Sequence, residues 1–569
     1  MLPVKTYLKQ LIETNLQNFL SNLDWSDLIL NKRELMRSYD FIIIGGGSAG
    51  CVLADKLSAC GKYQVCLLEA GPKDSHWSIH LPLGVIELMK SKTLNWGFNS
   101  HPDPSQNNRQ IFNPRGKTLG GSSSVNAMLY VRGQKEDYDH WQELGNDGWS
   151  FNDVLPYFKA TQNQERGESE YHGVGGPLNV AESRSKPAIC DDFITATEHA
   201  GFAKTDDFNG ESQEGVGYFQ VTQKDGNRCS AAKAFVTPNL HRSNLTVITD
   251  ALVQKLIIED KKAIGVSYSR KGKTSQIYAN KEVLLSAGAF GSPQILMLSG
   301  IGSKESLQAH NIELIHELNG VGENLQDHVD IMTVTQHKYT DLLAYRPKAA
   351  WWFIKDAVKY FTRKAGILTS VVAEVGGFIK SKPSLTRPDL QIHFIPAAMD
   401  DHGRNAKLLL QYGIAIHACL LRPKSRGRVS LYGNNPHLHP KIELNMLSHP
   451  DDIDTMVQAV KINRSILSQS PLVERNGQEI FPGKECQSDE QIKAFLKAKA
   501  NTIYHPVGTC KMGNDELAVV DNTLKVHGIE QLRVIDASIM PTLISGNTNA
   551  PTIMIAAKIA DDILRTHNA

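Results

Sequence analysis

Two polar side chains near the C-terminal end of the sequence could together remove a proton from a hydroxyl group. His505 lies in Tyr504-His505-Pro506-Val507-Gly508, and Asn547 lies in Ser545-Gly546-Asn547-Thr548-Asn549. A neutral imidazole accepts a proton near neutral pH, and an amide can orient the oxygen that loses it. Asn549 is the alternative partner, because alternate side chains of an extended loop point in opposite directions. We expect Asn547 to be the partner, and the pair then needs a nearby group that accepts a hydride.

A pattern for binding a dinucleotide lies at the other end of the sequence. The apolar run 41–44 precedes Gly45-Gly46-Gly47-Ser48-Ala49-Gly50, and a helix-forming stretch then leads to the apolar run 63–68 and Glu69. This order predicts strand, tight turn, helix and strand, with a pyrophosphate at the start of the helix. Gly45 would make the turn, Gly47 would let backbone approach the phosphates, and Gly50 would let helix and strand pack closely. Glu69 would accept hydrogen bonds from a ribose, although the pattern alone does not distinguish FAD from NAD.

The composition is that of an ordinary soluble protein with more than one domain. A chain of 569 residues is too long for one hydrophobic core, and 61 basic against 60 acidic residues give no reason to expect nucleic acid as a partner. The eight cysteines show no CxxC pair and no metal-ligand spacing, which predicts a reducing compartment and no metal site. No run of 18 apolar residues is present, so we expect no transmembrane helix. Acidic residues interrupt residues 1–38, which favours an amphipathic surface extension over a signal segment.

Strand-like runs recur along the chain and predict a discontinuous nucleotide-binding domain. These runs cover 245–248, 252–258, 283–286 and 532–535. We therefore expect a Rossmann-like domain made of residues 39–155, 215–325 and 503–569. Residues 156–214 and 326–502 would form a substrate-binding domain with an antiparallel sheet and helices. The predicted fold class is α/β, or α+β when both domains are taken together.

Two further glycine-containing segments could contact a phosphate or a cofactor. The first is Asn113-Pro114-Arg115-Gly116-Lys117-Thr118-Leu119-Gly120-Gly121-Ser122-Ser123-Ser124-Val125-Asn126. Its backbone and two cations could surround an anion, and a plain surface turn is the alternative. The second segment runs from Gly288 to Gly302 and joins a predicted strand to a helix, with Pro293 suited to a first helical turn.

Taken with the segments around His505 and Asn547, these motifs resemble those of the glucose–methanol–choline (GMC) oxidoreductases. The resemblance runs in order from about residue 39 to the C-terminus. It is greatest to bacterial alcohol dehydrogenases of alkane degradation, which pass electrons to a quinone, and choline dehydrogenases are near neighbours. The segments that carry this finer likeness are 502–510, Leu94-Asn95-Trp96 and 423–428. The resemblance implies a two-domain fold that binds FAD.

The resemblance also implies which residues surround the FAD. The ADP half would contact Gly45, Gly47, Ser48, Ala49, Gly50, Glu69, Val253, Ala287 and Gly288. The pyrophosphate, the ribityl chain and the flavin would contact Arg115, Gly120, Gly121, Ser122, Asn126, Asp536 and Ala537. Some family members attach FAD covalently through a histidine just before this asparagine. Because Val125 occupies that position here, we expect FAD to be bound non-covalently.

The function implied by the resemblance is oxidation of a primary, aliphatic alcohol to an aldehyde. His505 would take the hydroxyl proton while a hydride moves to flavin N5, and Asn547 would orient the oxygen. Electrons would pass to a quinone or to another acceptor. Glu374 and Tyr504 are candidates for the substrate cavity, and a carboxylate at Glu374 could pair with a quaternary ammonium group, which would favour oxidation of choline to betaine aldehyde. The resemblance implies this acid in both subgroups, so it does not decide the substrate, and an acid that accepts hydrogen bonds from local backbone groups is the alternative. An FAD-containing lyase and a non-catalytic flavin-binding protein are the alternatives from other classes.

The stretch 348–364 combines lysine and arginine with tryptophan, phenylalanine and other apolar residues. A basic helix with interfacial aromatic side chains could rest on a bilayer and admit a lipid-soluble alcohol or quinone. A lid over the substrate cavity, with its basic side in water, is the alternative. The expected location is the cytoplasm, with peripheral contact to the inner face of the cell membrane if the first interpretation holds.

Overall fold

A computed structural model of the protein describes residues 38–340, 342, 344, 347–400, 403–405 and 407–568. The extension predicted for residues 1–38 lies outside these ranges, apart from Ser38, which begins the first strand. Within the described ranges, no helix combines the length and the apolar character that a membrane span requires.

The first sheet is built around parallel strands that are buried on both faces. Ser38–Ile44 lies between two neighbours, with Ile42 opposite Cys66 on one side and Val283 on the other. Continuous apolar runs are typical of such strands, because helices cover both faces of the sheet. The order across the sheet is Leu245–Ile248, Val65–Leu68, Ser38–Ile44, Lys273–Leu285, Lys262–Arg270 and Ala251–Glu259, and Leu532–Val534 pairs with Lys273–Leu285. The predicted Rossmann-like sheet, discontinuous in sequence, is confirmed.

The turn after the first strand brings two backbone segments into close contact. Gly45 has a φ of +97°, in the left-handed region that favours glycine. A Cβ atom on Gly50 would lie 1.9 Å from the Gly45 carbonyl oxygen. The helix Ser48–Ser58 can therefore begin directly at the end of the strand, and the C-terminal helix Asn549–Asn568 packs along it.

The second sheet is antiparallel, as predicted for the substrate-binding domain. Its order is Asn476–Phe481, Val329–His337, Gly413–Leu420, Leu390–Ile395, Val375–Ile379 and Gly215–Tyr218, and Asn501–Thr502 pairs with Val329–His337. Gln391, His393 and Ile395 alternate along one strand and therefore project from one face. His393 lies opposite His417 of the neighbouring strand. This face brings polar and apolar side chains to the same side of the sheet.

Helices and short strands surround the two sheets. The helices are Trp77–His80, Val85–Leu88, Lys135–Glu143, Phe151–Thr161, Ala188–His199, Gly288–Leu298, Lys304–Ala309, Pro347–Arg363, Pro450–Leu467, Leu472–Arg475 and Asp489–Lys499. Short strands pair as Phe98–Asn99 with Phe112–Asn113, Gln162–Gln164 with Leu178–Glu182 and Gln220–Val221, Gln223–Lys224 with Asn227–Arg228, Ile301–Gly302 with His316–Glu317, and Arg428–Ser430 with Lys441–Glu443.

One predicted domain boundary lies inside a helix, and another lies at the start of a strand that belongs to the second sheet. The boundary at residue 155 falls inside the helix Phe151–Thr161, which packs against the C-terminal helix. The boundary at residue 215 separates Gly215–Tyr218 from the second sheet, although this strand pairs there with Val375–Phe378. The strand contains two glycines in four residues, so its sequence has no alternating apolar pattern to reveal it.

Candidate active site

The backbone before His505 is held by hydrogen bonds from both sides. Tyr504 has a φ of +73°, an uncommon value for a residue with a side chain. Its N–H donates to Thr502 Oγ1 at 2.7 Å, and its carbonyl oxygen accepts from Arg115 Nη2 at 2.6 Å. The N–H of His505 donates to Asp327 Oδ1 at 2.8 Å. These contacts fix the direction in which the His505 side chain leaves the loop.

The surroundings of His505 keep its imidazole neutral. The side chain is buried, and burial is the main reason why its pKa lies well below the usual value, with His328, His393 and Arg115 adding to the effect. Burial also raises the pKa of the Asp327 carboxyl to about 6, although Thr502 and Arg115 oppose that shift. A neutral imidazole at neutral pH can act as a proton acceptor.

Asn547, rather than Asn549, contacts the histidine. Asn547 Nδ2 lies 3.2 Å from His505 Nε2, and Asn547 Oδ1 accepts a hydrogen bond from Gln391 Nε2 at 3.1 Å. Asn549 begins the C-terminal helix, and its Oδ1 accepts from Ser48 Oγ at 2.7 Å. Gln391 was not anticipated from the sequence, because a single glutamine in an apolar strand has no motif around it.

A second histidine, also missed in the sequence, lies behind His505. The Nδ1 atoms of His328 and His505 are 2.9 Å apart, and the two rings meet edge to face. His328 Nε2 lies 3.1 Å from the carbonyl oxygens of both Leu421 and Ile544. Burial lowers the pKa of His328 to about 3. His328 precedes a strand in Leu325-Gln326-Asp327-His328, and one histidine before a strand is not by itself a recognisable signal.

One cavity of about 610 Å³ connects this pair of side chains with the glycine loops. Most of the predicted cofactor-binding residues line it: Gly45, Gly47, Ser48, Ala49, Glu69, Arg115, Gly121, Ser122, Asn126, Val253, Ala287, Gly288, Asp536 and Ala537. Gly50 and Gly120 are not in the lining. Gly120 N donates to the Gly46 carbonyl oxygen at 2.6 Å, so it joins the two loops instead.

The glycine loops leave room for a ligand at the positions where the pattern predicts one. A Cβ atom built on Gly47 or on Gly288 would meet no atom within 4 Å, so both face open space. A Cβ on Gly121 would instead lie 2.7 Å from Gly47 Cα, which shows how closely the two loops approach. Val125 also lines the cavity. An elongated dinucleotide fits a cavity bounded by exposed backbone in this way.

The two predicted acids at the cofactor end already bind backbone N–H groups. Glu69 accepts from Gly46 N at 2.8 Å and from Gly71 N at 2.7 Å, and burial raises its pKa to about 7. Asp536 Oδ2 accepts from Gly288 N at 2.8 Å and from Ser292 Oγ at 2.6 Å. Both oxygens of Glu69, and Asp536 Oδ1, which accepts from Ser538 N at 2.8 Å, each keep a second lone pair, so a ribose or ribityl hydroxyl could still donate to them.

The other end of the cavity is apolar, and Glu374 does not reach it. We call the set Val371, Val372, Ala373, Ile395 and Met399 the apolar lobe, and all five line the cavity together with Tyr504, His393 and His417. The expectation that Glu374 faces the substrate is wrong, because its buried carboxyl turns to Ser370 Oγ instead. Burial raises the pKa of Glu374. His417 Nδ1 contacts the buried Asp330 Oδ2 at 2.7 Å.

No group of three or more histidine, cysteine, aspartate or glutamate side chains in the described ranges is arranged to hold a metal ion.

Comparisons with known proteins agree with this arrangement. The chain is 47% identical over 93% of its length to an alcohol dehydrogenase (acceptor) of Pseudomonas putida, of which it covers 96%. It is 42% identical over 93% of its length to the mitochondrial choline dehydrogenase of Homo sapiens, of which it covers 90%. The crystal structure of pyridoxine 4-oxidase from Mesorbium loti superposes with a TM-score of 0.84 at 27% identity, over 93% of this chain and 99% of that one.

Models of one protein family match both ends of the chain. The N-terminal model of the GMC oxidoreductases matches residues 39–330, and the C-terminal model matches residues 423–556. The first range contains the glycine loops, and the second contains His505 and Asn547. Because the matched ranges cover more than half of the sequence, this chain belongs to the GMC oxidoreductase family.

Proposed function

We propose that this protein oxidises primary aliphatic alcohols to aldehydes with bound FAD and passes the electrons to a quinone-type acceptor. The observation that carries the proposal is the 3.2 Å contact between His505 Nε2 and Asn547 Nδ2 inside the cavity that also contains the glycine loops. GMC oxidoreductases bind FAD. When bound, the flavin accepts the hydride that leaves the alcohol carbon.

Two residues of this chain accept the hydroxyl proton and bind the substrate oxygen. The neutral imidazole of His505 accepts the hydroxyl proton, and the Asn547 amide N–H donates a hydrogen bond to the same oxygen. Both groups act on one atom, so the oxygen must lie within hydrogen-bond distance of each of them. Arg115 and Asp327 hold the loop that carries His505, which keeps this distance fixed before the substrate arrives.

The apolar lobe supports an aliphatic substrate. An alkyl chain leaving water for such a surface gains about 25 cal/mol for each Å² that it buries. Among the described lining residues of this lobe there is no carboxylate, and Glu374 turns away from it. The relative named alcohol dehydrogenase (acceptor) supports the same substrate class, and its name supports an acceptor other than oxygen.

Choline is the second candidate substrate, and its product would be betaine aldehyde. It is favoured by the identity to choline dehydrogenases, which is 42% for the human mitochondrial protein. A quaternary ammonium group could pack against aromatic faces in place of a carboxylate, and Tyr504 and His393 line the cavity.

The helix Pro347–Arg363 supports a peripheral contact with the inner face of the cell membrane. Ile354, Val358 and Phe361 are 57%, 55% and 74% exposed, and they recur at helical spacing as one apolar ridge. Lys355, Lys359, Arg363 and Lys364 lie exposed beside this ridge. The opposite side of the helix packs against Ile367 and Leu368. Residues 82–84 contact the same two residues and lead directly to Val85, which lines the cavity. An apolar ridge with flanking cations fits an anionic bilayer, from which a lipid-soluble substrate or quinone could enter.

The direct test is anaerobic mixing of the purified flavoprotein with 1-octanol, 1-butanol or choline, followed by absorbance of the flavin. Bleaching by octanol and butanol but not by choline is the expected result. Bleaching by choline alone would transfer the protein to the second candidate. If none of the three bleaches the flavin, oxidation of these alcohols is excluded, and the lyase and the non-catalytic flavin protein become the alternatives to test. Reoxidation of the bleached enzyme by a soluble quinone, faster than by air-saturated buffer, would support the proposed acceptor.

A further inference from the structure

We propose that His328 is a positioning residue that holds His505 in the tautomer with its proton on Nδ1, so that Nε2 is free to take the substrate proton. The inference rests on the proposed function in one respect, because it takes His505 as the base. The argument itself comes from the partners of the four ring nitrogens.

The protonation of His328 follows from its two carbonyl partners. Carbonyl oxygens only accept hydrogen bonds, and His328 Nε2 lies 3.1 Å from each of two, those of Leu421 and Ile544. Nε2 must therefore carry a hydrogen. The ring is fully buried with no carboxylate beside it, and a neutral imidazole has only one N–H. His328 Nδ1 is thus left with a lone pair.

The protonation of His505 follows from that of His328. The two Nδ1 atoms are 2.9 Å apart, a hydrogen-bond distance that needs one hydrogen between them. Because His328 Nδ1 can only accept, His505 Nδ1 must donate. Neutral His505 then has its lone pair on Nε2, the atom that faces Asn547 at 3.2 Å.

The hydrogen bonds on the Nε2 side of His505 agree with this placement of the hydrogen on Nδ1. Gln391 Nε2 donates to Asn547 Oδ1 at 3.1 Å, which turns the amide of Asn547 so that its Nδ2 faces His505. An N–H group of Asn547 requires an acceptor, and the lone pair on His505 Nε2 supplies it. The chain of hydrogen bonds therefore runs one way, from Gln391 through Asn547 and His505 to His328 and the two carbonyl oxygens.

Without His328, a fraction of the molecules would have the His505 hydrogen on Nε2 instead of Nδ1. A ring nitrogen that already carries hydrogen cannot accept a proton, so molecules with hydrogen on Nε2 would be inactive. The Asp327 carboxylate near His505 accepts from the backbone N–H of His505 and from Thr502 Oγ1. Arg115 and Arg422, the cations that lower the pKa values of the two rings, can only donate hydrogen bonds. The acceptor that contacts His505 Nδ1 is His328 Nδ1.

Two amide substitutions separate positioning from packing, because they place an amide group at different atoms of the lost ring. The amide of His328→Asn lies at the level of Nδ1, so its oxygen can still accept from His505. The amide of His328→Gln lies at the level of Nε2, so its NH₂ group can still donate to Leu421 and Ile544.

We expect the rate of flavin reduction by the alcohol to stay within about tenfold of the wild-type rate in His328→Asn. In His328→Gln this rate should fall by a further factor of about 10–10², which is part of what a positioned base contributes. The reverse order would overturn the proposal, because it would assign His328 to holding the two carbonyl groups.

A second measurement does not depend on turnover. In ¹⁵N-histidine-labelled enzyme, the ring signals of His505 are identified by their disappearance in His505→Ala. We expect them to report hydrogen on Nδ1 in the wild type and in His328→Asn, and a mixture of tautomers in His328→Gln. Hydrogen on Nε2 in the wild type would overturn the inference even if the enzyme oxidises alcohols. Conversely, hydrogen on Nδ1 together with normal flavin reduction in His505→Ala would remove the proposed base and leave the tautomer assignment standing.

Discussion

The loop that carries His505 keeps an uncommon backbone conformation at the neighbouring residue. Left-handed φ values cost a non-glycine residue free energy and persist only where surrounding contacts enforce them. At Tyr504 those contacts come from Arg115 on the carbonyl side and Thr502 on the amide side. Segments that are far apart in the sequence therefore meet at the backbone of Tyr504, and the position of the base depends on Arg115 of the glycine-containing segment 113–126.

His505→Ala tests the base directly. The variant should fold and stay yellow, because the glycine loops that face the cofactor end are untouched. Flavin reduction by the alcohol should slow by about 10²–10⁴-fold, the contribution typical of a positioned base. Rapid-mixing absorbance of the flavin measures this rate, and His310→Ala, at a half-buried site directly after the helix Lys304–Ala309, is the matched control. A near-normal rate in His505→Ala would reject the proposed base.

At this scale the sequence predicted residues that belong to motifs and missed those that do not. His505, Asn547 and Arg115 were found because each lies in a segment with a recognisable pattern. His328 and Gln391 act through contacts between strands that are far apart in sequence, and such contacts have no local signal. Glu374 was a cavity candidate because a buried carboxylate near an aromatic side chain could pair with a quaternary ammonium group, whereas in the structure its carboxyl contacts Ser370.

Among the elements, the helix Pro347–Arg363 exposes apolar side chains on one face while its other face packs into the fold. Asp356, on its inner side, forms an ion pair with Lys359 and accepts from Ile367 N at 2.6 Å. Phe353 and Ala357 also pack inwards. Among the residues that the structure describes, the ridge of Ile354, Val358 and Phe361 stays exposed. The sequence predicted this helix from its composition, but only the structure separates its inner face from its outer one.

Removing the ridge should weaken membrane binding without changing charge. We expect the wild-type protein to sediment with vesicles that contain anionic phospholipid, and much less with purely zwitterionic vesicles. Ile354→Ser combined with Phe361→Ser should reduce sedimentation, because each exposed apolar side chain adds to insertion at the interface. Thr362→Ser, on the same helix, is the control. Equal sedimentation of the double variant and the control would assign the helix to a role other than membrane contact.

For the whole molecule, the fold class was readable and the extent of each domain was not. Parallel strands and the glycine turn have strong local patterns, so the first sheet could be assembled from three distant segments of sequence. The second sheet was predicted only as antiparallel, since its strands are short or fully buried. The edges at residues 155 and 215 were drawn from changes in composition; in the structure a helix continues across the first, and the strand that begins at the second pairs with the second sheet.

The mode of cofactor attachment is a property of the whole molecule that can be measured in one step. Val125 occupies the position from which some relatives bond to the flavin, and its side chain cannot form such a bond. Acid precipitation of the purified protein should therefore release FAD into the supernatant, where absorbance detects it. Flavin that stays with the washed precipitate would contradict non-covalent binding.

The meeting of both ends of the chain at one cavity has a consequence for the order of assembly. Ser48 and Asn549 are hydrogen-bonded although they are 501 residues apart in the sequence, and Val283 pairs with Leu532 across the same sheet. Contacts of such long sequence separation form late in folding. During synthesis, the phosphate-binding turn leaves the ribosome well before the strand and the helix that complete the sheet. We therefore expect flavin to be loaded only after residue 549 has been synthesised, and a ribosome that stalls earlier to yield a chain that does not close around its cofactor.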